Sequence, residues 1–199
     1  MKLLVGLGNP GPRYAATRHN AGFLVLQRLE GLLSIPMDKR RFEALIGKGV
    51  VAGEPAVLAI PQTYMNLSGR SVAPLMKFYN LNIEDIIVIH DEIDFPFGIL
   101  RIKTGGGHGG HKGLRSIIDY IGGADFTRLR VGIGRPCRQE TVESYVLTGF
   151  SQEEEAGLPD LINRACDVLC DIVQAGPVAA MNRCNIREQN GPEESSASP

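Results

Sequence analysis

His19 and Asp91 are the two residues whose types could do chemistry together. His19 lies in Thr17-Arg18-His19-Asn20, just ahead of a helical pattern. Asp91 follows the apolar run Ile86-Ile87-Val88-Ile89-His90, at the C-terminal end of an expected strand. A carboxylate beside an imidazole fixes its tautomer and steadies the imidazolium formed when it takes a proton. Imidazole titrates near ~6.5, which suits activation of water at neutral pH. A histidine alone is more often structural; the aspartate at a strand end is what favours a general base. No Gly-x-Ser-x-Gly elbow and no suggestively placed cysteine offers a protein nucleophile, so water is the expected one.

Two asparagines could serve the same crevice. Asn9, in Gly8-Asn9-Pro10-Gly11, follows the first strand, and open α/β sheets bind ligands at that edge. Its amide offers a donor and an acceptor, although a turn asparagine needs no such role. Asn66, in Tyr64-Met65-Asn66-Leu67-Ser68-Gly69, could donate to a carbonyl oxygen that gains negative charge, with Met65 as a flexible apolar wall. The same segment also reads as an ordinary loop-to-helix junction with Ser68 as N-cap. Gly6, Gly8 and Gly11 spell a dinucleotide fingerprint, but Pro10 and Pro12 interrupt it and the helix starts only near Asn20. The run Thr104 to Gly113 holds His108 and His111 among glycines. Two histidines there are a poor start for a metal site, and no metal is expected. Glycines that expose N–H groups, flanked by Arg101, Lys103, Lys112 and Arg115, suit an anion better.

These residues must be positioned by alternating strands and helices. Strands are expected at 3–7, 99–104 and 129–134, residues 86–94 should begin as a buried strand and end as an acidic loop, and a β-hairpin is expected at 42–60, turning at Gly53-Glu54-Pro55. Helices are expected after Asn20, from Ser68 to about Asn80, at 114–121, at 141–147 and from 151 to about 183. Leu114, Ile117, Ile118 and Ile121 follow helical spacing, as do Leu161, Ile162, Ala165, Leu169, Ile172 and Val173. The alternation predicts an α/β fold: a single domain over residues 1–188, with a central mixed, mostly parallel, twisted sheet flanked by helices on both faces. Residues 189–199 lack apolar content and are expected to form a disordered tail.

A chain of 199 residues, 43% hydrophobic and 22% charged, suits one globular core. Its apolar runs fall far short of the ~20 residues that span a bilayer, so no membrane is expected. Met1-Lys2 leads straight into the first strand rather than a secretory signal, and Cys137, Cys166, Cys170 and Cys184 form no CxxC pair. A reducing cytoplasm is the expected compartment, with Cys166 and Cys170 packing as small apolar residues. The net charge of -1 speaks against nucleic acid, yet it hides a distribution. Residues 101–135 carry seven basic residues (Arg101, Lys103, Lys112, Arg115, Arg128, Arg130, Arg135) and two acidic ones (Asp119, Asp125). Residues 151–199 carry three basic and nine acidic residues, which cancel that excess in the total.

The segments VGLGNPGPRYAATRHNAGF, PQTYMNLSG, IVIHDEIDFPFG, IKTGGGHGGHKGL and LRVGIGRP, in this order and spacing, resemble bacterial peptidyl-tRNA hydrolases over roughly residues 1–150. The resemblance implies a cytoplasmic, monomeric α/β hydrolase with no cofactor, whose partner is peptidyl-tRNA. Such an enzyme cleaves the ester between peptide and tRNA ribose and frees tRNA for translation. It implies His19 as general base, with Asp91 orienting it. Asn9, Tyr14, Met65, Asn66, His111 and Lys112 would line the substrate site. Arg101, Lys103 and Arg130 would contact phosphates of the acceptor stem. The chain departs from the family at Lys112, where an asparagine is usual, and Lys112 is read as a further phosphate contact. Arg101 replaces a common lysine and could grip phosphate bidentately. A different class shares the fold: non-catalytic RNA-binding relatives, such as plant organellar splicing factors. The presence of Asn9, His19, Asn66 and Asp91 together favours the enzyme.

Overall fold

A computed structural model describes residues 1–187. The tail expected at 189–199 lies outside the described residues. Seven strands form one sheet: β1 (Lys2–Gly6), β2 (Lys39–Arg41), β3 (Ala44–Val51), β4 (Glu54–Pro61), β5 (Ile86–Glu92), β6 (Leu100–Thr104) and β7 (Thr127–Gly132). Their order is β2-β3-β4-β1-β5-β7-β6. The neighbours β4, β1, β5 and β7 are parallel, and antiparallel pairing is confined to β2–β3, β3–β4 and β6–β7. Only β3 and β6 therefore run against the other five strands.

Among the described residues the six α-helices are α1 (Ala21–Leu33), α2 (Gly69–Phe78), α3 (Lys112–Ile121), α4 (Val142–Val146), α5 (Gln152–Ala175) and α6 (Pro177–Arg187). Strands buried on both faces need cover on both, and two separate cores supply it. On one face Leu26 and Leu29 of α1 and Leu161, Ala165 and Leu169 of α5 pack on Leu4, Leu58, Ile87 and Leu129. On the other, Val72 and Leu75 of α2 and Leu114 and Ile117 of α3 pack on Leu3, Val5, Val88 and Phe126. The apolar face expected of α5 is buried in full. Cys166 is buried among these residues, and burial, with Cys170 beside it, pushes its thiol up to about 12.

Several local expectations need correction. The hairpin turn is Ala52-Gly53, both left-handed at φ 48° and 87°, so Glu54 and Pro55 already belong to β4. Two such residues match the right-handed twist of the flanking strands. A second turn of this kind, at Phe42 (φ 48°) and Glu43 (φ 54°), adds the unforeseen strand β2; neither residue carries a turn signature. Ser68 does not cap α2. It is itself helical, and its hydroxyl donates to the Met65 carbonyl at 2.8 Å. The Gly69 N–H instead donates to the Ser116 hydroxyl of α3 at 3.0 Å. Helix α3 opens at Lys112, inside the segment expected to be irregular.

Two features set up the site. Helix α1 enters directly against the strand ends: a Cβ on Gly22 would stand 2.3 Å from the Ile89 carbonyl and 2.5 Å from the Leu7 nitrogen. No side chain fits there, so the turn before α1 is drawn to the C-terminal ends of β1 and β5. At the β6 edge, the Asn185 amide of α6 accepts from the Ile102 N–H at 3.0 Å and donates to the Ile102 carbonyl at 3.1 Å. The outer rim of an edge strand is thereby paired without another strand. The close approach at Gly22 gives an expected outcome: Gly22→Ala lowers stability by about 1–3 kcal/mol, read as a fall in Tm in thermal unfolding.

Candidate active site

The C-terminal ends of β1 and β5, the turn before α1, the loop before α2 and the glycine loop before α3 enclose a cleft of about 650 Å³. Asn9, Tyr14, His19, Met65, Asn66, Asp91, His111 and Lys112 all line it. Arg101, Lys103 and Arg130 do not; they lie on the paired strands β6 and β7.

Asp91 is the centre of the arrangement. Its carboxylate is 2% exposed and meets two imidazoles. His19 Nδ1 lies 2.9 Å from each carboxylate oxygen, and His111 Nε2 lies 3.0 Å from Oδ1. Burial alone would raise the Asp91 pKa. The charges and ring N–H groups of His19 and His111 outweigh it and hold the carboxyl below the usual range. An ionised carboxylate only accepts, so both facing nitrogens carry hydrogen. His111 confirms this from its other side. Its Nδ1 accepts from the Gly113 and Leu114 N–H groups at 3.1 and 3.3 Å, capping α3. With Nδ1–H committed to Asp91, His19 keeps the Nε2 lone pair to take a proton.

The same hydrogen-bond roles argue against a metal. The ligand atoms of His19, Asp91 and His111 lie within 4.8 Å of one another, close enough in principle. However, His111 uses its one lone pair on backbone N–H groups. Coordination through Nε2 would strip the cap of α3.

The asparagines divide their work between frame and cleft. Asn9 and Asn20 lock together: the Asn9 N–H donates to Asn20 Oδ1 at 2.8 Å, and Asn20 Nδ2 donates to the Asn9 carbonyl at 3.0 Å. Asn9 Oδ1 accepts the Met65 N–H at 2.8 Å, which leaves its Nδ2 as the donor for the cleft. Asn66 is exposed on the cleft wall. Met65 is buried, and its sulfur occupies space that a Cβ on Gly113 would fill at 2.5 Å. Lys112, at the mouth, pairs with Glu143 of α4 at 2.8 Å, and both side chains are exposed.

The basic segment looks different in three dimensions. Register sets Arg101 beside Arg130 and Lys103 beside Arg128, so these four share one sheet face. Arg130 pairs with Glu92 at 2.9 Å and lies 4.5 Å over the Phe95 ring. Arg135 pairs with Asp94 at 2.6 Å, and Arg115 approaches Asp119 at 3.7 Å. Arg128 is 3% exposed, because the glycine loop covers its guanidinium on that same face.

Sequence reasoning missed three supporting residues. Arg18 is buried; it donates to the Thr148 hydroxyl at 2.8 Å, pairs with Glu154 at 2.6 Å and lies 4.3 Å over the Tyr145 ring. It ties the His19 turn to the start of α5. Asn20 was legible only as a neighbour of His19. His90 is 2% exposed, donates through Nδ1 to the Asp91 carbonyl at 2.7 Å and packs edge-on to the His111 ring at 4.9 Å.

Comparison with known proteins adds a family to this geometry. The profile of the peptidyl-tRNA hydrolase family matches residues 3–193. The chain belongs to the peptidyl-tRNA hydrolase family. A Geobacter sulfurreducens protein named peptidyl-tRNA hydrolase is 50% identical over 191 residues, covering 96% of this chain and 98% of the relative. One from Syntrophotalea carbinolica is 49% identical over 187 residues, covering 94% and 98%. The crystal structure of peptidyl-tRNA hydrolase from Acinetobacter baumannii superposes with a TM-score of 0.86 at 44% identity, covering 93% of this chain and 94% of that one. The expected single-domain α/β fold is that of the peptidyl-tRNA hydrolases. The non-catalytic reading finds no support among these relatives.

His90 gives the site a pH signature. Burial lowers its pKa, with His111 adding to the effect, to about 3. Between about pH 3 and the ordinary value near ~6.5, the unfolded chain binds a proton at His90 that the folded chain does not. This stabilising contribution is whole above that window and is lost as pH falls, by about 1.4 kcal/mol per pH unit within it. Asp91 acts in the same direction lower down, below about pH 3.9. Urea unfolding from about pH 7 to about pH 5 should show a shallower loss of stability in His90→Asn than in the parent protein.

Proposed function

We infer that this protein hydrolyses the ester between peptide and tRNA in peptidyl-tRNA. The observation that carries the reading is the His19–Asp91 pair, backed by His111, inside a cleft with asparagine donors. His19 Nε2 takes a proton from water as the oxygen attacks the ester carbonyl. Asp91 holds the tautomer and balances the imidazolium. The Asn9 amide and Asn66 bind the peptidyl-ribose end and offer hydrogen to the developing oxyanion. Tyr14 and Met65 shape the wall against the substrate. His111 holds the second side of Asp91 and lies where the acceptor end enters. No step calls for a cofactor or metal: activation, positioning and charge stabilisation suffice for an ester.

Arg101, Lys103 and Arg130 contact phosphates of the acceptor stem from β6 and β7. For Arg130 a phosphate competes with Glu92 for the same fork. Lys112 exchanges Glu143 for phosphate on entry. Among the described residues no helix is long and apolar enough to cross a membrane. The cysteines are free thiols, which fits a reducing cytoplasm, and the protein acts as a monomer.

The test is hydrolysis of an N-blocked aminoacyl-tRNA. His19→Ala should lose at least ~100-fold in kcat while binding deacylated tRNA nearly as well. Retained turnover would remove His19 as the base. Replacing Arg101 and Lys103 together with alanine should make the plot of log affinity against log salt shallower by about one to two units. An unchanged slope would refute the phosphate assignment.

A further inference from the structure

We propose that Arg128 is a positioning residue for catalysis, which sets the glycine loop that delivers His111, and not a tRNA contact. The proposal rests on the hydrolase reading above.

Arg128 sits on β7 in register with Val88 of β5 and Lys103 of β6. Its neighbours in sequence and register are the cations assigned to phosphate, yet its own side chain is buried. The guanidinium donates through Nη1 to the Gly107 carbonyl at 2.6 Å, and through Nη2 to the carbonyls of Gly106 and Ala124. The Phe126 ring lies 4.7 Å away. Among the described residues no carboxylate pairs with it. Burial and the charge of Arg130 lower its pKa, but an arginine remains charged. A buried cation held by carbonyl dipoles alone is costly, and packing needs could be met by an apolar residue. What the fork secures is the path of the loop.

That path has few other restraints. Gly105, Gly106, Gly109 and Gly110 all have positive φ, a backbone free to take other conformations. The loop's remaining bonds are Gly105 N–H to the Phe126 carbonyl at 3.2 Å, Gly110 N–H to His108 Nδ1 at 3.0 Å and His111 N–H to the His108 carbonyl at 2.9 Å. The last two are internal to the loop and do not tie it to the sheet. The loop ends at His111, whose Nε2–H donates to Asp91. Arg128 therefore fixes the start of a short span, and the span's end completes the buried carboxylate that orients His19. A shift of about 1 Å in such a span can cost on the order of 100-fold in rate.

Lysine keeps the charge but not the fork, so it separates positioning from phosphate binding. Arg128→Lys and Arg128→Met are compared with the parent protein by kcat and KM on N-blocked aminoacyl-tRNA. Affinity for deacylated tRNA is measured across salt concentrations. Arg128→Ala is assayed with and without added ethylguanidinium. The expected result is a fall in kcat of about 10- to 100-fold in both first variants. Deacylated-tRNA affinity and its salt slope should be unchanged, and ethylguanidinium should partly restore kcat to Arg128→Ala. Parent-level kcat in Arg128→Lys overturns the proposal. So does a loss of tRNA affinity with a shallower salt slope, which would make Arg128 a phosphate contact. If neither Arg128→Lys nor Arg128→Met folds, Arg128 serves the fold and the proposal also fails. Absence of turnover by the parent protein would instead remove the hydrolase reading.

Discussion

A carboxylate removed from water must be repaid in hydrogen bonds, and that requirement on Asp91 organises the site. Two imidazole N–H groups meet it, one from the turn before α1 and one from the loop before α3. Each donation fixes a tautomer. In His19 the fixed tautomer leaves a lone pair for chemistry; in His111 it leaves one for the first turn of α3. One buried charge thus joins general-base chemistry, helix capping and loop position. Neither histidine can be moved without leaving the carboxylate short of a donor.

The fold supplies the geometry through close backbone contacts. The approach of Gly22 to the ends of β1 and β5 brings the His19 turn onto Asp91. Asn9 and Asn20 brace that turn from one side, and Arg18 braces it from the other through Thr148 and Glu154. The groups that would bear the chemistry lie on connections, while the elements beneath them are rigid and buried on both faces.

Much of this was legible in the sequence, because strand ends are legible. Asn9, His19 and Asp91 each flank a recognisable apolar run, and open sheets gather such residues at one edge. Unreadable were the features made by pairing distant segments. Ser116 replaces Ser68 at the start of α2, and no local pattern announces a cap supplied by another helix. Strand β2 depends on two left-handed residues that are neither glycine nor asparagine. The run of cations in residues 101–135 was visible, but not its partners: Glu92, Asp94 and Glu143 lie outside that window. Nor could composition separate Arg128, which the glycine loop covers, from Arg130 two residues later on the same face.

The Asn185 amide that brackets Ile102 has a consequence for how the protein is made. A ribosome delivers the chain from its N-terminus, so β6 and β7 emerge before the helix whose side chain seals their rim. Until then the sheet has an open, hydrogen-bonding margin able to accept a stray strand. Synthesis of α6 therefore ends the exposure of this margin to mispairing. An interruption before it would leave the strand bearing Arg101 and Lys103 open to aggregation.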